Sequence, residues 1–301
     1  MRQRGPRWAR ALYRWVQTRR AEHRKRYLTW PQRARAAWRH RGREWTVIGL
    51  EEAARRRSSE TLFVLGSGPS IARVTDEQWK QVARHDSFGI NFSFLLDFVP
   101  TFHIMEDGKQ AWLRRLVVEV LSSRRRRLRD TVWFVSHKQP RRGIHPRTAP
   151  EMFPEHPTVC VYPYPPVIRL EEDRPFRADD FERTAVYRGT MSVVLHLALQ
   201  LGYRRLVLLG VDLHTVDHFF DELPEMRGYV EEHRRGQRAR LGVQNVSAFP
   251  SMIAVGNKYR PFDEYLYAFH ELHLRPRGIT LAMGDASSVV CPRIPAFAWD
   301  E

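Results

Sequence analysis

The sequence predicts an α/β domain built on a mostly parallel sheet, behind a basic helical N-terminal extension. Three observations predict it. Short apolar runs alternate with helix-patterned segments along residues 61–285, the order that yields a parallel sheet covered on both faces. Glycine or an acid ends four of those runs, and in open α/β sheets ligands bind beyond the carboxyl ends of strands. The charge is also lopsided. Of a net +16, residues 1–45 supply +13 (fifteen Arg or Lys against two Glu), and the other 256 residues supply +3.

The extension, residues 1–45, holds five of the nine tryptophans: Trp8, Trp15, Trp30, Trp38 and Trp45. Trp8, Leu12, Trp15 and Val16 fall at i, i+4, i+7 and i+8, which is one face of a helix with arginines around the rest. Pro31 breaks the segment, and a second helix runs from there to about Arg41. Arginine with interfacial tryptophan suits a helix lying on an anionic bilayer, where each cation near the surface contributes about 1 kcal/mol. The plainer alternatives are a solvated arm, or a helix docked on its own domain or on an acidic partner. Nucleic acid fits less well. Cations with aromatics bind single strands, but a domain of +3 offers no basic excess to continue such a groove. No run of 18 apolar residues occurs and no secretory apolar core opens the chain, so neither a bilayer span nor a signal peptide is expected. Cys160 and Cys291 stand too far apart in sequence for a metal-site spacing and are too few for a disulfide framework. A reducing cytoplasm follows.

Residues 46–60 read as a short helix and a polar connector. From there the domain runs to residue 301. "TLFVL" (61–65) is a buried strand, 76–84 a helix, and 86–96 holds a second strand ending near Asn91. "TFHIMED" (101–107) is a third strand, 109–129 a long amphipathic helix, and 131–137 a fourth strand. Residues 139–183 are rich in proline and charge and read as irregular, with one short strand at 158–162. An apolar helix at 189–202 leads into a fully buried strand at 204–213. Residues 214–260 form an irregular lid region. A helix at 261–278, ended by Gly278, precedes the strand 279–285.

The turn in "TLFVLGSGPSI" (61–71) lacks the lysine of a Walker loop and is not G-x-G-x-x-G. It resembles the G-[NS]-G-P-S loop of family-42 bacterial sialyltransferases and of the related domain in flagellin glycosyltransferases and archaeal pterin diphosphokinases. The likeness continues over roughly residues 60–290. "FGINFSF" supplies a strand ending in Asn91. "YRGTMSVVLHLALQLGYRRLVLLGVDLH" then repeats the family's order: a basic residue and threonine opening an apolar helix, a Gly-Tyr, and a strand ending G-x-D. Arg188 and Thr190 match with a one-residue gap; Gly202, Tyr203, Gly210 and Asp212 match directly.

The resemblance implies a Rossmann-like fold of the variant GT-A glycosyltransferase type and a donor site made of Gly66, Ser67, Gly68, Pro69, Ser70, Asn91, Arg188, Thr190, Gly210 and Asp212. Chemistry suits these roles. Glycines allow close backbone approach to a ligand, and Pro69 removes a donor and stiffens the turn. Ser67 stands where the family often has Asn. Asn91 can donate and accept at once, as a cytosine edge or a ribose requires. Arg188 ahead of a helix N-terminus makes an anion site. Asp212 would orient the site or accept from sugar hydroxyls. Each residue also has a plainer reading: a tight turn for the glycines, a cap for Asp212, a turn residue for Asn91, a surface pair with Glu182 for Arg188.

Departures from the family are equally visible. His214 stands where a phosphate-contacting tyrosine is expected. The lid stretch "AVGNKYRPFDEY" offers Asn257, Lys258 and Tyr259 but no histidine for a general base, and Asp107 replaces the third strand's asparagine. His218, in a loop that could close over the sugar, is the first choice for the base, followed by His214 and Asp107. The four-residue spacing of His214 and His218 invites a metal, but no helix is evident there and the family resemblance implies a metal-independent reaction.

The expectation is therefore transfer of sialic acid or a related nonulosonic acid from a CMP-activated donor to a glycan or glycolipid acceptor, in polysaccharide biosynthesis of a bacterial surface. No cofactor is expected beyond the donor. The protein would be cytoplasmic and peripheral on the inner face of the membrane through residues 1–45, without nucleic acid; a homo-oligomer is left open. The competing classes are a pyrophosphokinase or glycan-phosphate enzyme on the same scaffold, and a non-catalytic membrane-associated scaffold protein.

Overall fold

The computed structural model describes residues 45–105, 111–136, 153–162, 176–178, 181, 189–213, 215, 217–231 and 262–299. The extension up to residue 44 lies outside the described residues, as do Asp107, Arg188, His214 and the 251–260 lid stretch.

Among the described residues, eight strands and five α-helices follow in chain order: β1 (Thr46–Ile48), α1 (Leu50–Arg55), β2 (Thr61–Leu65), α2 (Asp76–Val82), β3 (Asp86–Ile90), β4 (Phe102–Ile104), α3 (Ala111–Arg124), β5 (Val132–Ser136), β6 (Thr158–Tyr162), α4 (Thr190–Leu201), β7 (Arg205–Leu209), α5 (Phe262–Phe269) and β8 (Thr280–Met283). The strands form one sheet in the order β1-β6-β5-β4-β3-β2-β7-β8, and every neighbouring pair is parallel. The α/β, Rossmann-like parallel sheet read from the sequence is the fold.

Why these residues form these elements follows from burial. All five positions of β2 are buried, as are those of β3 and β5, because helices cover both faces and alternate residues enter different cores. Leu62, Val64, Phe88, Ile90, Leu206 and Leu208 point into the face covered by α4 and α5. Phe63, Leu65, Val207 and Leu209 point into the other face, against Trp79, Phe297 and Trp299. Trp133 and Val135 continue that second face toward α3. α4 buries nine of its twelve residues, the pattern of a helix apolar on nearly all sides. Gly202, with φ of 86°, ends it in the left-handed conformation that glycine adopts without cost. α2 opens on a reciprocal cap, Thr75 with Gln78.

Some expectations change. Residues 46–60 are more than a connector: β1 pairs with β6 at the sheet's edge. The third strand is only 102–104; the second ends at Ile90, beside Asn91 as read, and 91–95 then turn into a short 3-10 helix. The helix expected over 261–278 is α5, then a wide π-turn over His270–Leu274, then a tight turn over Arg275–Arg277. The last residues fold back along β8, with Phe297 donating to the Met283 carbonyl at 2.7 Å. No helix among the described residues is long and apolar enough to cross a membrane.

One topological point places the site. From β2 the chain moves to β3 on one side; from β7 it moves to β8 on the other. β2 and β7 are adjacent, so the strand order reverses between them. A crevice opens at the carboxyl ends of such a pair, and the loops that line it are 66–70 and 210–213.

Candidate functional site

At that switch point the two loops clasp each other. The Gly66 N–H donates to the Leu209 carbonyl at 2.8 Å and the Gly68 N–H to the Gly210 carbonyl at 2.8 Å. The Ser70 N–H then donates to Oδ2 of Asp212 at 2.9 Å. Donors at 66, 68 and 70 thus face β7, continuing the strand ladder past its end. Position 69 faces away from that ladder, so proline there forfeits no bond to β7. Pro69 instead opens the short 3-10 turn Pro69–Arg73, where its fixed φ is suited and its missing N–H is harmless.

This assigns the glycines a different task from the one read in the sequence. A Cβ on Gly66 would run into the Gly210 carbonyl oxygen, and one on Gly68 into the Asp212 carboxylate. The close approach that glycine permits is between two segments of the chain. Gly210 has φ of 64° and packs against Ile71. Asp212 is 4 % exposed, and its carboxylate holds the loop. Ser67 remains half-buried at the surface of the turn.

Asn91 follows β3 on the neighbouring strand. Its φ is 50°, a left-handed conformation that asparagine tolerates better than most residues. Thr190, the first residue of α4, donates its hydroxyl toward Oδ1 of Asn91 at 3.5 Å. The helix start is therefore beside Asn91. Gly189 caps it with φ of 84° and ψ of −179° and no side-chain hydrogen bond to the first turn. That torsion pair is open essentially to glycine alone.

His218 lies on the segment that closes the third side. The Phe219 N–H donates to the Ser67 carbonyl at 3.1 Å. The His218 ring stacks on Phe220 with centroids 4.8 Å apart, and Phe220 packs on Phe92 at 5.0 Å. Phe220 is fully buried, so it anchors the segment while the half-buried His218 sits between the Ser67 turn and the residue after Asn91. Of the described candidates, Gly66, Ser67, Gly68, Pro69, Ser70, Gly210 and Asp212 form the clasp, and these contacts bring Asn91, Thr190 and His218 beside it at the carboxyl edge.

A third loop, after β8, was not read as part of the site. Ser288, 4 % exposed, donates to the Val211 carbonyl at 3.2 Å. Arg73 pairs with Asp285 and reaches Ser287 Oγ at 3.2 Å. Burial alone would raise the Asp285 carboxyl, but hydrogen bonds from Ser287 and Arg73 and the Arg73 charge hold it below the usual range. The only trace in sequence was the Gly-Asp that ends "LAMGD". Gly202 and Tyr203 are placed at the opposite edge: Tyr203 Oη donates to Oδ2 of Asp86 at 2.8 Å, under the start of β3. They belong to the frame.

His103, on β4, is fully buried against Trp133. Burial pushes its pKa down to about 3, so it stays neutral and cannot reach a ligand. The described residues assemble no group of three or more His, Cys, Asp or Glu that could hold a metal ion.

The chain matches no protein-family model and no curated protein. Solved structures do match. The monofunctional alpha-2,3-sialyltransferase Cst-I from Campylobacter jejuni is 12% identical, with 80% of this chain and 81% of that one covered, at a TM-score of 0.45. The sialyltransferase CST-II in complex with a trisaccharide acceptor and CMP is 14% identical over 78% and 85%, at a TM-score of 0.41. An alpha-2,3-sialyltransferase from Campylobacter jejuni in apo form is 10% identical over 80% and 80%, at 0.38.

Proposed function

We propose that this protein is a metal-independent glycosyltransferase of the variant GT-A type that moves sialic acid or a related nonulosonic acid from a CMP-activated donor to a bacterial glycan or glycolipid. The observation that carries the reading is the clasp at the switch point, with Asn91 and the start of α4 beside it. That is where an α/β sheet binds a nucleotide, and the residues stand in the order of the G-[NS]-G-P-S enzymes.

In this reading Ser67 and Asn91 meet the nucleoside. The first turn of α4, with Arg188 preceding it in the chain, meets the phosphate. The acceptor oxygen bonds to the anomeric carbon as the bond from that carbon to the phosphate oxygen breaks. CMP leaves with the electron pair, and a base takes the acceptor proton. His218 is the proposed base, followed by His214 and Asp107. Residues 1–45 would hold the enzyme at the inner face of the membrane.

The test is a titration of the full chain with CMP, UDP, GDP and ATP, each with and without Mg²⁺, followed by unfolding. CMP alone should stabilise the protein by about 2.7 kcal/mol at a hundredfold excess over its dissociation constant. Stabilisation by ATP only with Mg²⁺ would replace this reading with a pyrophosphokinase. No response to any nucleotide would leave a non-catalytic scaffold.

A further inference from the structure

We propose that the edge of the sheet opposite the candidate site is a docking surface for an anionic lipid bilayer. The inference goes beyond the transfer reading and does not depend on it. Because all strands are parallel, all eight begin at one edge. The described connections leading into them, counted with the last helix residue before and the first strand residue after each, carry thirteen arginines against six carboxylates: Glu60, Asp86, Asp97, Asp130, Glu155 and Glu271. That is a net +7 at one edge, within a stretch (46–301) whose total is +3, so the rest of that stretch sums to −4. The small total that argued against a basic surface conceals a polarised domain.

Helix dipoles explain part of this, since cations suit a helix's last turn, as with Arg55 and Arg124. They do not explain Arg129, Arg204 and Arg205, which lie beyond the helices or on the strand itself. Ten of the arginines are exposed and three, Arg57, Arg124 and Arg125, are half-buried; they spread from the α1 end beside β6 to the turn before β8. Eight strands at about 4.8 Å span roughly 34 Å. A small anion would engage one or two such groups; a row of this width matches an extended anionic surface.

Two features select a bilayer over a nucleic acid. The 1–45 extension enters the fold at Trp45, immediately before β1, and therefore at this same edge. It brings +13 more charge and five tryptophans, four of them in the two helix-patterned segments. Cations with tryptophan on one helical stripe suit the interface of a membrane. The rim then extends the arm's surface and fixes which way the domain faces.

The experiment is vesicle co-sedimentation of the full-length chain, with phosphatidylcholine alone and with phosphatidylglycerol added. The variants are Arg84→Gln/Arg126→Gln/Arg204→Gln and, on separate positions, Arg55→Gln/Arg205→Gln/Arg277→Gln. Each triple should lower partition onto anionic vesicles about a hundredfold, roughly fivefold per arginine, with an unchanged unfolding midpoint. Lys80→Gln, on the outer side of α2, should change it little. The proposal is overturned if both triples bind anionic vesicles like the wild type. It is also overturned if the wild type ignores such vesicles at low salt, or if the triples lose affinity for a single-stranded oligonucleotide while keeping it for vesicles.

Discussion

The Ser70 N–H and the Asp212 carboxylate, 142 residues apart, meet at 2.9 Å. With the Gly68 N–H on the Gly210 carbonyl, this bond joins the turn after β2 to the turn after β7. Removing the carboxylate leaves a buried N–H unpaired, which costs about 1–3 kcal/mol. Asp212→Ala should therefore lose about that much stability in urea and weaken CMP binding. Asp212→Asn, which keeps an acceptor oxygen, should retain most of both. Equal loss in the two variants would show that charge, and not the bond to Ser70, is what the position supplies.

Gly68→Ala tests the same clasp from the other side. The new methyl would meet the Asp212 carboxylate and lie 2.9 Å from the Gly210 carbonyl oxygen, so about 1–3 kcal/mol of strain is expected. Combining it with Asp212→Ala removes one of the two obstacles. The pair should cost less than the sum of the single changes, by about 0.5–3 kcal/mol. Additivity in a denaturation cycle would mean that the two groups do not touch.

At the other edge the outcome should separate stability from binding. Asp86 accepts from Ser58 N at 2.8 Å, Ser58 Oγ at 2.7 Å, Ser59 N at 3.1 Å and Tyr203 Oη at 2.8 Å. Tyr203→Phe removes one of four donors, so about 1 kcal/mol of stability should go. The nucleotide dissociation constant should stay at the wild-type value by calorimetry. A weakened constant would return Tyr203 to the site.

Acid should unfold this protein early. His103 and His196 are buried and neutral, with pKa pushed by burial to about 3 and about 4; for His196 the nearby His273 adds to the effect. Both lie below the unfolded value of 6.5. As pH falls through 6.5 the unfolded chain binds protons that the folded chain refuses. Their stability is thus full above about pH 6.5 and is lost on the way down to about pH 4 for His196 and about pH 3 for His103. Two such groups together should remove about 4 kcal/mol between pH 7 and 5. Denaturation of wild type and His196→Phe at both pH values checks this, since the variant should lose less.

The base assignment has its own measurement. With CMP-sialic acid as donor, the wild-type rate should rise with pH through an apparent pKa of about 6–7. His218→Ala should lose that rise along with most of kcat. An unaltered profile would remove His218 and point to His214 or Asp107.

What the sequence made legible depended on whether the cause was local. β2 and β6 stand where their apolar runs put them, at 61–65 and 158–162. β1 was missed because three residues have no periodicity to read, and its partner β6 begins 112 residues later. The glycines of the 66–70 turn looked like room for a ligand. Their neighbours are the carbonyls of 209 and 210, and nothing near residue 66 in sequence announces that. The same holds for Ser288, whose role exists only once β8 lies beside β7. His218 was chosen for its loop, and its placement comes from Phe220 reaching Phe92, a contact between aromatic side chains that no local pattern encodes.

The sheet is also a ruler. Its strands run about five residues between the arginine rim and the crevice, roughly 13–17 Å at 3.3 Å per residue. A bilayer at the rim would leave the turn of Ser67 and Asn91 at least that far from the lipid headgroups, opening away from them. An acceptor rooted in the same bilayer would need several sugar units to climb to that height, whereas a freely diffusing glycan of any length could enter from the aqueous side.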